Sequence, residues 1–117
     1  MLTVLVVEDD ALIRMGAISI VENAGFVAVE AASADQAIAI LEARPDIHLV
    51  FTDVDMPGSM DGLKLAHYVR KRWPAIRLVV ASGKNIVTES ELPQGSRFFA
   101  KPYADGAIAR AIVELLA

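Results

Sequence analysis

Residues 49–58 read Leu49-Val50-Phe51-Thr52-Asp53-Val54-Asp55-Met56-Pro57-Gly58, an apolar run that stops at a carboxylate and then turns through Met-Pro-Gly. A short apolar run with β-branched and aromatic members reads as a buried strand. Pro57 and Gly58 then break it. Open α/β sheets bind their ligands in the crevice beyond the carboxyl ends of the strands. Asp53 stands at such an end, and Asp55 lies two residues on.

The same pattern repeats on either side. Upstream, Thr3 to Val7 is a continuous apolar strand that meets Glu8-Asp9-Asp10. Asp10 fits an N-cap, and the helix it opens runs from Ala11 to about Ala24. Ile13, Ala17, Ile20, Val21 and Ala24 recur at helical spacing and are expected to face the sheet. Gly25 suits the position just past the helix end. A strand over Phe26 to Ala31 follows. Ser33 and Gln36 then form a capping box for a helix that Pro45 stops near Ala43.

Downstream, the third strand covers Ile47 to Thr52. Asp61 is a further N-cap, for a helix to about Arg72 that Pro74 ends. A fourth strand spans Arg77 to Ala81 and is followed by Ser82-Gly83. Lys84 to Gln94 resists assignment and holds at most a short helix around Thr88 to Leu92. A fifth strand, Arg97 to Ala100, ends in Lys101-Pro102. Ala104 or Asp105 opens a last helix to about Leu116. Five strands alternating with helices predict parallel strands covered by helices on both faces. No linker or repeat divides the chain, so one domain over residues 1–117 is expected.

Bulk composition narrows the function. The 117 residues are 55% hydrophobic with a net charge of −4. That rules out disorder and gives no basic footprint for direct nucleic-acid binding. The absence of cysteine removes disulfides, thiolate catalysis and cysteine-ligated zinc. No apolar run approaches a membrane span of about 18 residues, and the N-terminus lacks a basic signal-peptide region. A cytoplasmic domain is therefore expected.

Four strand ends carry polar chemistry: Glu8-Asp9, Asp53, Ser82 and Lys101. In a parallel sheet they share one edge. Carboxylates crowded there repel one another unless a hard cation sits among them. Mg²⁺ takes one or two carboxylates and fills its other positions with water or phosphate oxygens. A carboxylate beside it can also attack phosphorus and form an acyl phosphate, a reaction that needs chiefly positioning and charge neutralisation. Each piece alone has a plain reading as a cap, a turn or a solvated lysine; their joint placement is what carries the functional one. His48 and His67 have no ligand partner at metal spacing, and Trp73 and Phe99 read as packing residues.

Val6-Val7-Glu8-Asp9-Asp10, Asp53-Val54-Asp55-Met56-Pro57, Asp61-Gly62, Ser82-Gly83 and Phe98-Phe99-Ala100-Lys101-Pro102 together resemble the receiver domain of two-component response regulators. The resemblance covers essentially the whole chain. It implies a flavodoxin-like, doubly wound α/β fold with strand order 2-1-3-4-5. It also implies phosphorylation of Asp53 by a phosphohistidine donor, either a sensor histidine kinase or a histidine phosphotransfer protein. Mg²⁺ would be held by Glu8, Asp9, Asp53 and the Asp55 backbone carbonyl, with Asp9 the more direct of the acidic pair. Ser82 would move to the phosphoryl group, Lys101 would pair with it, and Phe98 would occupy the aromatic switch position. The Lys101–Pro102 bond would be cis.

The sequence departs from the family pattern in three places. The loop between Met56 and Gly62 is one residue longer than its commonest form. The Ser82–Lys101 interval is shorter, so the fourth helix is expected to be short or irregular and dimerisation weak or absent. No effector domain follows, so output is expected to pass to a partner protein. Two other readings compete. Asp53-Val54-Asp55 also resembles the Asp-x-Asp of haloacid-dehalogenase-like phosphatases, but those carry it on the first strand. A receiver-like module that binds without phosphorylation would not need the intact acceptor, acidic pair, hydroxyl and lysine.

Overall fold

The computed structural model describes residues 1–84 and 87–117. Its five strands are β1 (Thr3–Val7), β2 (Val27–Ala31), β3 (Ile47–Asp53), β4 (Arg77–Ser82) and β5 (Arg97–Ala100). The helices are α1 (Ala11–Asn23), α2 (Ala34–Ala43), α3 (Gly62–Arg72) and α4 (Asp105–Leu116). All neighbouring strands pair in parallel, in the order β2-β1-β3-β4-β5. This is the expected doubly wound, flavodoxin-like arrangement.

Alternation along the strands sends successive side chains to opposite faces. Leu5, Val7, Val50, Leu78 and Val80 pack under α2 and α3, against Ala37, Leu41, Leu65 and Val69. Val4, Val6, Leu49, Phe51 and Val79 pack under α1 and α4, against Ala17, Ile20, Ile108 and Ile112. Because β1, β3 and most of β4 are buried on both faces, they read as unbroken apolar runs. Each fully buried Leu, Ile or Val contributes about 1.5–3 kcal/mol.

The pairing of β1 with β3 has one irregularity. Thr3 aligns with Ile47 but Val4 aligns with Leu49, which leaves His48 as an extra residue on β3. The Thr3 amide donates to His48 Nδ1 at 3.1 Å, so this histidine closes a gap in the ladder. Beyond the irregularity Val7 aligns with Thr52, and the next residues, Glu8 and Asp53, stand side by side.

Caps fall near their predicted places. Asp10 accepts from the amides of Leu12 and Ile13, Ser33 from Gln36, and Asp61 from Lys64. In return Gln36 Oε1 accepts from the Ala32 amide at 2.8 Å, one residue before the capping serine. One expectation needs correction: Ile13 does not face the sheet and is 40% exposed. It lies in the first turn of α1, where it lines an open hollow with Pro102 and Tyr103. Between β4 and β5 the described residues contain a single 3-10 turn, Glu89–Glu91. Thr88 holds that turn through its hydroxyl, which bonds Glu91 Oε1 at 2.9 Å. This agrees with a short fourth segment; the part of Lys84 to Gln94 at positions 85 and 86 lies outside the described residues.

Candidate functional site

The carboxyl edge of the sheet gathers the residues singled out by sequence. Ladder bonds continue one residue past the strands: the Glu8 amide donates to Ala31 O and the Lys101 amide to Ser82 O. Both side chains therefore start from a fixed backbone. Lys101 is joined to Pro102 by a cis peptide bond, as the resemblance implied. Its aliphatic stem lies over Gly83, where an added Cβ would stand 3.3 Å from Lys101 Cβ.

Lys101 is the hub. Its Nζ donates to Glu8 Oε1 at 2.9 Å and lies 3.1 Å from Asp53 Oδ1. Glu8 and Asp53 are buried, at 4% and 5% exposure, so these ion pairs are shielded from solvent, unlike the exposed Arg44–Asp46 pair. The second Glu8 oxygen accepts the Asp10 amide at 3.1 Å. Asp53 Oδ1, though beside the ammonium, is buried and accepts no well-aligned hydrogen bond among the described residues.

Burial pushes the Glu8 and Asp53 carboxyls up from their ordinary values, and the contact with Lys101 only partly opposes this. For Lys101 itself, burial acts to lower the ammonium, but the contacts with Glu8 and Asp53 outweigh burial and hold it above its ordinary value. One site thus contains two carboxylates that resist ionising and a lysine that resists losing its proton.

Asp9 completes the group. Glu8, Asp9 and Asp53 each offer a carboxylate oxygen within 4.8 Å of the others. With a buried Asp53 oxygen lacking a hydrogen bond, this all-oxygen donor set fits a hard divalent cation. Glu8 has both oxygens engaged within the protein, while Asp9 is exposed.

Ser82 reaches the same edge but points elsewhere. Ser82 is buried, and its hydroxyl donates to Asp55 Oδ2 at 3.0 Å. Phe98 is half-buried on β5 and packs against the α2–α3 core.

Other contributors carried weaker sequence signals. Arg14 donates to the Glu8 backbone carbonyl at 2.9 Å and pairs with Glu30 at 2.9 Å; nothing in its spacing on α1 singles it out. Gly62 was visible as part of Asp61-Gly62, but its reason was not. A Cβ there would lie 1.7 Å from the Asp53 carbonyl oxygen, so only glycine lets α3 start against the end of β3. Ser59 ties the lengthened loop to α2 through a 2.7 Å bond to Asp35. His67, expected to be bland, bonds the Glu91 carbonyl at 2.6 Å.

An acidic trio and a lysine on the carboxyl edge of a 2-1-3-4-5 sheet are the features of a receiver domain. The chain belongs to the response regulator receiver domain family, whose model matches residues 4–113. It is 34% identical to sensor kinase CckA of Brucella abortus over 97% of this chain and 12% of that protein. It is 33% identical to a putative NtrX-like response regulator of Rickettsia bellii over 74% of this chain and 18% of that one. The chain thus spans less than a quarter of the length of these relatives. A response regulator receiver protein from Sinorhizobium medicae superposes with a TM-score of 0.90 at 26% identity, covering 98% of this chain and 94% of the other. Receiver domains are signalling modules of two-component systems. No helix among the described residues is long and apolar enough to cross a membrane.

Proposed function

We propose that this domain is a phosphorylation-dependent switch in a two-component phosphorelay, with Asp53 as acceptor and a histidine kinase or histidine phosphotransfer protein as donor. The observation that carries it is Lys101 Nζ held between Glu8 Oε1 at 2.9 Å and Asp53 Oδ1 at 3.1 Å. A cation placed there neutralises both the attacking carboxylate and the charge that develops on the phosphoryl oxygens. A carboxylate oxygen of Asp53 bonds to phosphorus while the P–N bond to the donor histidine breaks. The imidazole nitrogen leaves with the electron pair and takes up a proton.

Asp9, Glu8, Asp53 and the Asp55 backbone carbonyl are the residues that would hold Mg²⁺. Bound there, the cation would offset the phosphoryl charge and align its oxygens. Lys101 then shifts its contact from the bare carboxylate to the phosphoryl group. Ser82 turns inward to the same group, and Phe98 follows into the space vacated. The phosphorylated form is read by a partner protein, and the domain works in the cytoplasm. Self-dephosphorylation is slow. The short segment between β4 and β5 offers little helix surface for self-pairing, so the unphosphorylated domain is a monomer and any dimer after phosphorylation is weak.

The test is direct. With Mg²⁺ and acetyl phosphate, the mass should rise by one phosphoryl group, and hydroxylamine should remove it as it does acyl phosphates. Asp53→Asn should abolish the adduct. Equal labelling of that variant would place the acceptor elsewhere.

A further inference from the structure

The end of β4 presents three hydrogen-bond donors in a row, and one oxygen takes all three. Asp55 Oδ2 accepts from the Ser82 hydroxyl at 3.0 Å, the Gly83 amide at 3.0 Å and the Lys84 amide at 3.2 Å. Successive backbone N–H groups that converge on a point form an anion-binding concavity, and a hydroxyl here adds a third arm. Bonds from such donors to a carboxylate are charge-assisted and stronger than neutral ones. The occupant comes from the same chain, 27 to 29 residues earlier. The hollow beside it, about 420 Å³ and lined by Asp9, Asp55, Asp61 and Lys84 among others, opens the site to solvent. Asp55 therefore sits where the hollow meets the end of β4.

We infer that the Asp55 carboxylate is an internal stand-in for the phosphoryl group, filling the β4 donor set in the resting protein and yielding it on phosphorylation. The inference rests on Asp53 being the acceptor. Three donors already aimed at one oxygen cannot also hold a phosphoryl group on Asp53, so the Asp55 side chain must release them first. A phosphoryl group has more oxygens and more charge than a carboxylate, and it wins the exchange. Until it arrives, the Asp55 contact holds Ser82 turned away and lowers the population of the binding-competent state, which weakens apparent affinity by that fraction. Asp55 then contributes twice: the backbone carbonyl to the cation, the side chain to the resting conformation. Only the second is removed by a side-chain substitution.

The stand-in role predicts a graded series of wild type, Asp55→Asn and Asp55→Ala, probed with beryllofluoride and Mg²⁺. Asparagine removes the charge but keeps an oxygen that accepts; alanine removes both. In the untreated proteins, Asp55→Ala should speed amide hydrogen exchange at Gly83 and Lys84 at least tenfold, with Asp55→Asn in between. The beryllofluoride concentration at half-saturation should fall in the same order, at least tenfold for alanine. Unchanged exchange at the two amides overturns the inference, as does equal half-saturation in wild type and Asp55→Ala. Equal half-saturation in the asparagine and alanine variants also overturns it, since charge repulsion alone would then account for the effect. Those outcomes leave the acceptor assignment standing. A wild type that takes up no beryllofluoride overturns that assignment, and the stand-in role with it.

Discussion

The two halves of the site differ in how much is already in place. On the β1–β3–β5 side, Lys101 touches both carboxylates, and backbone ladder bonds fix Glu8 and Lys101. On the β4 side, Ser82 is equally buried but its hydroxyl is engaged by Asp55. The first half is a preformed charge cluster, held by a buried framework that cannot move without disturbing the core. The second is a set of hydrogen bonds at the start of a loop, made to a side chain from another loop. The switch proposed above would need both: a rigid place for chemistry and a neighbour with two settings.

Perturbing the rigid half should have the largest effects. Gly62→Ala forces a Cβ into the Asp53 carbonyl, a backbone atom that cannot give way. A loss of about 3 kcal/mol or more in urea unfolding is expected, along with failure to phosphorylate. A neutral result would mean that α3 and the β3 end are not coupled as tightly as the geometry demands.

Lys101→Met comes next. It leaves Glu8 and Asp53 buried side by side without their cation. At neutral pH and without divalent ions this should cost about 2–3 kcal/mol, with the loss limited by partial solvent access to the site. Mg²⁺ should restore more stability to this variant than to wild type, since it would meet an uncompensated pair. Equal Mg²⁺ stabilisation of the two proteins in thermal unfolding contradicts the cluster as drawn.

Ser82→Ala perturbs the other half and should cost only about 1 kcal/mol. Asp55 Oδ2 keeps its two backbone donors in that variant. A loss as large as that of Lys101→Met would erase the distinction between rigid and switchable halves.

The smallest expected effect is on pH dependence. Burial raises Glu8 and Asp53 above their ordinary 4.5 and 3.8. A carboxyl raised in the folded state binds its proton more tightly there than in the unfolded chain. Its stabilising contribution is complete below the ordinary value and is lost as pH rises through the raised one. Lys101, also raised, keeps its contribution until pH passes above its ordinary 10.5. Metal-free wild type should therefore lose stability relative to Asp53→Asn as pH climbs from the ordinary carboxyl value through the raised one. Parallel urea-midpoint profiles for the two proteins would contradict the raised Asp53.

The elements, the layered α/β class and the sheet edge that gathers the candidate residues were all legible in the chain. These rest on local signals that survive without coordinates: apolar runs ending in charge, Asp10, Ser33 and Asp61 as caps, and Pro45 and Pro74 as stops. The stretch before β5 resisted assignment beyond a short helix around Thr88 to Leu92, and among the described residues it holds only the Glu89–Glu91 turn. Ile13 was misread because periodicity says which residues share a face, not where the helix runs past the strands beneath it. Tertiary structure alone decided how the site is wired. It set Glu8 level with Asp53 after the extra residue at His48, gave Lys101 two carboxylates, put Gly62 against a backbone oxygen and turned Ser82 toward Asp55. Each of these contacts joins residues from different elements, and the last two depend on the course of a loop. Spacing along a chain carries no information about which of several nearby donors a carboxylate will accept; that is settled by competition for hydrogen bonds in three dimensions.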